Sequence, residues 1–121
     1  MRFASDLEER AHRSGEEYAW RREDAKEAAR ALAASGRAIL GGELWLVRKG
    51  EIWGMLPQKS GPPAVYHWES EREALESWTE YVARSCSEAL AAIDDLPSGG
   101  EVDAPQGADV YYNLTWALEH E

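Results

Sequence analysis

Leu75, Trp78, Val82, Cys86, Ala89 and Ile93 follow one another at intervals of three or four residues, which gathers them into a single apolar stripe on an α-helix. The helix is predicted to begin near Ser70 or a few residues later. Glu73, Glu76, Glu80, Arg84 and Ser87 lie on its other side, with Glu80 and Arg84 spaced for an i,i+4 ion pair. A helix with one apolar face must cover a second layer, because packing rather than propensity supplies most helical stability. The rest of the chain therefore has to provide a surface for that stripe.

Segments of period two provide it. Arg37 to Leu40 is a short apolar run before Gly41-Gly42, and Glu43 to Arg48 then carries Leu44 and Leu46 on one face, Trp45 and Val47 on the other. Lys49-Gly50 reads as a tight turn into a partner strand, Glu51 to Leu56. Gln58 to Pro63 is loop, because prolines cannot donate to a ladder, and Ala64 to Trp68 is a third strand. Asp109 to Ala117 is the last, with Val110, Tyr112, Leu114 and Trp116 on one side and Tyr111, Asn113 and Thr115 on the other. It follows a long helix, so non-local pairing is expected.

The first 36 residues read as helix. Ser5 with Glu8 and Ser14 with Glu17 have capping-box spacing, so a short helix ending near Gly15 and a longer one from about Glu16 are predicted. Tyr18, Ala25, Ala28, Ala29 and Leu32 form the inward face of the longer helix, and Gly36 its C-terminal cap. The expectation is one domain, 1–121, of α+β class. It is a two-layer sandwich with a mostly antiparallel sheet of four to five strands, covered by N-terminal and central helices. Residues 1–15 are expected to be a flexible or short helical segment, and 97–107, rich in Pro and Gly, a mobile loop.

Leu, Ile, Val and Phe together number only 20 of 121 residues, and the net charge is −10. That balance leans towards disorder, but six Trp and five Tyr restore the apolar area a core needs. Trp45, Trp53, Trp68, Trp78 and Trp116 are assigned mainly to that core, with Trp53 expected to be exposed. The charge is asymmetric: residues 1–68 carry 11 basic and 10 acidic groups, residues 69–121 carry 2 and 13. Such a surface repels a phosphate backbone, so no nucleic-acid partner is expected. It suits a cationic protein or simple solvation. A single cysteine, Cys86, and no apolar leader in the first ten residues lead to the expectation of a cytoplasmic chain without a membrane partner.

No catalytic constellation is legible. His12 lies among charged residues and His120 near the end of the chain, which leaves His67 as the one histidine in a protected setting. Cys86 belongs to the apolar stripe, where a thiol acts as a small hydrophobe. Asp94, Asp95, Glu101 and Asp103 lack the ligand series of a calcium loop. Neither enzyme activity, cofactor nor metal is expected.

One ordered set of short motifs remains. Ala19-Trp20-Arg21-Arg22-Glu23-Asp24-Ala25 precedes an Ala-rich helix; Leu40-Gly41-Gly42-Glu43 follows; then come Trp68 at a strand end and Trp78-x-x-Tyr81-Val82-x-x-Ser85. Over about residues 19 to 117 this resembles the immunity protein 40 family of bacterial polymorphic toxin systems, whose members carry Leu-Gly-Gly-Asp, Asn-Trp-Tyr and Trp-x-x-Tyr-Val-x-x-Ser elements. Here Glu43 stands in place of the Asp, and His67 and Glu69 flank Trp68 in place of Asn and Tyr. The resemblance implies a cytoplasmic protein that binds and neutralises a cognate toxin. Gly41, Gly42, Glu43, Trp68, Trp78, Tyr81 and Ser85 are then its motif positions. Charge suggests a toxin with a basic surface, contacted through Glu73, Glu76, Glu80, Glu88, Asp94, Asp95, Glu101 and Asp103. Two alternatives stand beside it: a small ligand-binding or enzymatic domain with a Trp-lined pocket near His67 and Glu43, and a protein that self-associates through exposed aromatics.

Overall fold

The computed structural model describes residues 3–98 and 100–120. In chain order the elements are α1 (Ser5–Arg10), β1 (His12–Ser14), β2 (Glu17–Trp20), α2 (Arg22–Ala34), β3 (Ala38–Arg48), β4 (Glu51–Trp53), β5 (His67–Glu69), α3 (Trp78–Asp95) and β6 (Asp109–Ala117). The strands form one antiparallel sheet in the order β1-β2-β6-β3-β4, and β5 also pairs with β3. This is the expected α+β class, with all three helices on one side of a curled sheet.

The long central pair is β3 with β6, in register from Ala38↔Ala117 to Val47↔Asp109. Alternation sends Ile39, Leu44, Leu46, Tyr112 and Leu114 towards Ala25, Ala28, Ala29 and Leu32 of α2 and Ala89 and Ile93 of α3. The four small or aliphatic residues on α2 let the helix sit close to the sheet. Trp45, Val47 and Ala19 point the other way and pack with Ile52 and Tyr111 in a smaller cluster.

α3 starts later than its apolar stripe suggests. Ser77 accepts from the Glu80 N–H while the Glu80 carboxylate accepts from the Ser77 N–H, and this capping box fixes the helix start at Trp78. Leu75, placed on the stripe by spacing, is instead 100% exposed in the preceding turn. Glu80 is engaged in the cap, so Arg84 pairs with Glu76 at 2.7 Å and Glu88 at 3.0 Å rather than with Glu80. The buried residues of α3 include Tyr81 and Ser85 as well as Val82, Ala89 and Ile93.

The N-terminal region differs more. Residues 12–20 form a hairpin, not the start of a helix: Gly15 takes φ +61° at the turn, and Tyr18 and Trp20 alternate against Ala19. The edge of β6 decides this, since it bonds Tyr18 to Trp20 through Leu114 to Tyr112. Gly41-Gly42 does not end a strand; β3 runs through it with a bulge between Ile39 and Gly41. Lys49-Gly50 is the expected turn, both residues having positive φ, but β4 is shorter than predicted. Trp53 is half-buried against the main core rather than exposed. Residues 57–59 bond to the 97–107 segment, through Lys59 N–H to Glu101 O and Asp103 N–H to Pro57 O. Among the described residues, no helix is long and apolar enough to cross a membrane.

Candidate functional site

Pairing brings the motif positions to one place. Gly41, Gly42 and Glu43 lie opposite Glu69, Trp68 and His67 of β5, and on the other edge opposite Thr115, Leu114 and Asn113 of β6. A Cβ on Gly42 would overlap the Asn113 carbonyl and the Trp68 ring, and one on Gly41 would overlap the Trp68 carbonyl. The two glycines are therefore required by close approach. Trp68 covers Gly42 from the helix side, its Nε1 buried without an acceptor among the described residues.

α3 holds this crossing from behind. Ser85 Oγ is fully buried; it accepts from the Ile39 N–H at the bulge (3.0 Å) and donates to Val82 O (3.1 Å). Trp78 Nε1 donates to Gly36 O at 2.8 Å, tying the helix start to the turn before β3. Tyr81 Oη donates to Ser70 O at 2.6 Å, just after β5, and burial raises the phenol's pKa. Ser70 Oγ in turn donates to Glu88. All three α3 motif side chains thus fix backbone.

Their common product is a groove of about 800 Å³ over Gly41, lined mainly from the sheet face away from the helices and reaching Trp68 and, from α3, Tyr81 at its β5 edge. Residues paired across a sheet share a face, so His12, Ala19, Asn113, Glu43 and His67 form one row across β1, β2, β6, β3 and β5. The next row holds Thr115, Gly41 and Glu69. Gly41, without a side chain, leaves a depression; Asn113, buried and donating to Tyr18 O at 3.0 Å, completes its floor. Glu17, Glu43, Glu69 and Glu71 line it, against the single guanidinium of Arg72. Arg72 is already matched by Glu119 at 3.4 Å. Glu43 also accepts from Trp45 Nε1 at 2.9 Å. Leu40, the extra residue of the bulge, and Val65 add exposed apolar surface to the same groove, at 40% and 50%.

The acids singled out by sequence do not gather. Arg84 binds Glu76, whose carboxyl it holds down at about 2, and also Glu88. The cap hydrogen bonds from Ser77 lower the pKa of Glu80. Asp94 pairs with Lys26 at 2.9 Å, while Glu101 and Asp103 lie on the segment bonded to residues 57–59. Glu73 is exposed, its N–H donating to the Glu76 carboxylate, and Asp95 is exposed at the end of α3.

Glu43 and His67 do meet, as cross-strand partners, but Trp68 is the only tryptophan lining the groove among the described residues. Cys86 packs on the helix side and is hydrogen-bonded to Ala29 O, with burial raising its pKa. Thiol and imidazole stand on opposite faces of the sheet. No group of three or more His, Cys, Asp or Glu that could hold a metal occurs among the described residues. Sequence reasoning passed over Glu17, Leu40, Val65, Glu69 and Glu71. The alternation that puts Glu43 beside Trp45 was readable, but the cross-strand register that adds the others was not.

The family model of immunity protein 40 matches residues 6–116. No curated protein and no solved structure matches the chain.

Proposed function

Since the chain belongs to the immunity protein 40 family, we propose that it binds and neutralises the toxin domain of a bacterial polymorphic toxin system, acting in the cytoplasm as a binding protein rather than an enzyme. Family membership over nearly the whole chain carries this reading. A groove lined by Glu17, Glu43, Glu69 and Glu71 is in keeping with it. A net charge of −10 favours a toxin with a basic surface, because complementary potentials speed encounter and exclude wrong partners. The same charge works against nucleic acid as the partner.

A ligand-binding or enzymatic domain at His67 has weaker support. Glu43 and His67 adjoin, but the tryptophan lining that such a pocket requires is reduced to Trp68.

Co-expression tests the proposal. The protein is expected to restore growth to cells producing the toxin domain encoded by the adjacent open reading frame, and to co-purify with it. Growth arrest that persists with both proteins soluble and unassociated would refute it.

A further inference from the structure

Resting on that reading, we infer that the toxin docks on the open face of the sheet, in the groove above Gly41, through a convex element carrying Lys or Arg side chains. Three independent observations favour this face over α3. First, Glu17, Glu69 and Glu71 form no ion pair among the described residues and line one groove, whereas Glu76, Glu88 and Asp94 already have cationic partners and the likewise unpaired Glu73 and Asp95 stand apart, one ahead of α3 and one at its far end. A carboxylate that has no partner in the free protein gives up little when a cation arrives; one already paired must first release its partner.

Second, the groove contains two of the four exposed large hydrophobic residues described, Leu40 and Val65. Apolar surface ringed by polar groups is characteristic of protein contact sites. A Lys or Arg stem lying over Gly41 would meet Leu40 and Val65 along its methylenes and place its charge among the surrounding carboxylates. Third, the face is fixed before binding. β3 is held through its bulge by Ser85 and bonded on both edges, so little ordering cost attends association.

Three variant pairs, each reversing two charges, locate the contact: Glu17→Lys with Glu69→Lys on the sheet face, Glu73→Lys just before α3 with Asp95→Lys at its end (the α3 pair), and Glu101→Lys with Asp103→Lys on the remote segment. All six side chains are exposed, so each pair should leave the thermal midpoint near that of the unaltered protein. Calorimetric titration with the purified toxin domain from the adjacent open reading frame should show at least about a 30-fold loss for the sheet-face pair, as expected when cationic partners lose their carboxylates. The other two pairs should change affinity by under about 3-fold, in line with rim charges acting mainly on rate. In the unaltered complex, amide exchange should slow at His67 to Glu69.

Equal losses in all three pairs would mean that net charge acts at a distance, and a loss confined to the α3 pair would place the contact there; either overturns the docking site while leaving toxin binding intact. Should the sheet-face pair fail to fold, absence of protection at His67 to Glu69 overturns the site by itself. No binding by the unaltered protein removes the functional reading and the site with it.

Discussion

Ser85→Ala offers a direct measure of how firmly the groove is built. Ser85 Oγ is the acceptor for the Ile39 N–H, beside the bulge of β3, and the whole side chain is buried. Removing the hydroxyl leaves a buried donor unmatched, at about 1–3 kcal/mol. Val82 O loses one donor but keeps its helical one, so that side of the change costs little. Alanine's better helix propensity returns up to about 0.5 kcal/mol. The exposed Ser87→Ala on the same helix isolates this gain. The two variants should therefore differ by about 1–3 kcal/mol in urea unfolding. With about 2.1 cal/mol/K of unfolding entropy per residue, 121 residues give about 0.25 kcal/mol/K, so the midpoints should separate by about 4–12 °C. Amide exchange at Ile39 should accelerate in Ser85→Ala more than at Leu44 or Leu46. A difference below about 0.5 kcal/mol, the usual range of neutral surface changes, would show that the bulge does not depend on Ser85.

Gly42→Ala should destabilise by at least about 1–3 kcal/mol through overpacking against Asn113 O and Trp68. Gly54→Ala, with nothing within 4 Å of its Cβ, should be near neutral; equal denaturation midpoints for the two would refute the close-approach argument. Glu76 has a folded pKa of about 2, below its usual 4.5, because of Arg84. Its stabilising share is therefore complete above pH 4.5 and declines as the pH falls towards 2. Carboxyl ¹³C titration should give a midpoint for Glu76 well below the usual 4.5, and Arg84→Gln should raise it. A midpoint near 4.5 in the unaltered protein would count against the ion pair.

The legible parts of the fold were those set by local pattern. The alternation in Asp109–Ala117 coincides with β6, and the stripe from Trp78 to Ile93 lies on the packed side of α3. Both are periodic enough for spacing alone to fix the buried face. The N-terminal hairpin was hidden because Ser14 and Glu17 mimic a capping box. Its inner strand β2 is held by β6, which lies about a hundred residues along the chain, and no local window contains that pairing. The Gly41-Gly42 pair looked like a break for a related reason: what requires glycine there is the backbone of Trp68 and Asn113 from two other strands. The motif positions were named from the sequence, yet their joint purpose was not. Ser85 faces Ile39 and Tyr81 faces Ser70 only once the bulge and β5 are in place.

Folding also rearranges the charge that dominated the sequence. The sequence assigns nearly all the excess acid to residues 69–121, but two of the four groove carboxylates, Glu17 and Glu43, come from the balanced half. Register sets them beside Glu69, while Arg84 and Lys26 neutralise much of α3. Local field, not net charge, is what a docking partner meets at contact. This separates the roles of motif and rim. Gly42, Trp78, Tyr81 and Ser85 act on backbone and shape, so substituting them should lower stability first and affinity only through it. The exposed side chains of Glu17 and Glu69 form no ion pair among the described residues, so their reversal should change affinity at constant stability. A Glu17→Lys, Glu69→Lys protein that binds as before, beside a Ser85→Ala protein that stays stable yet loses the toxin, would invert that division and place the contact on the helical side.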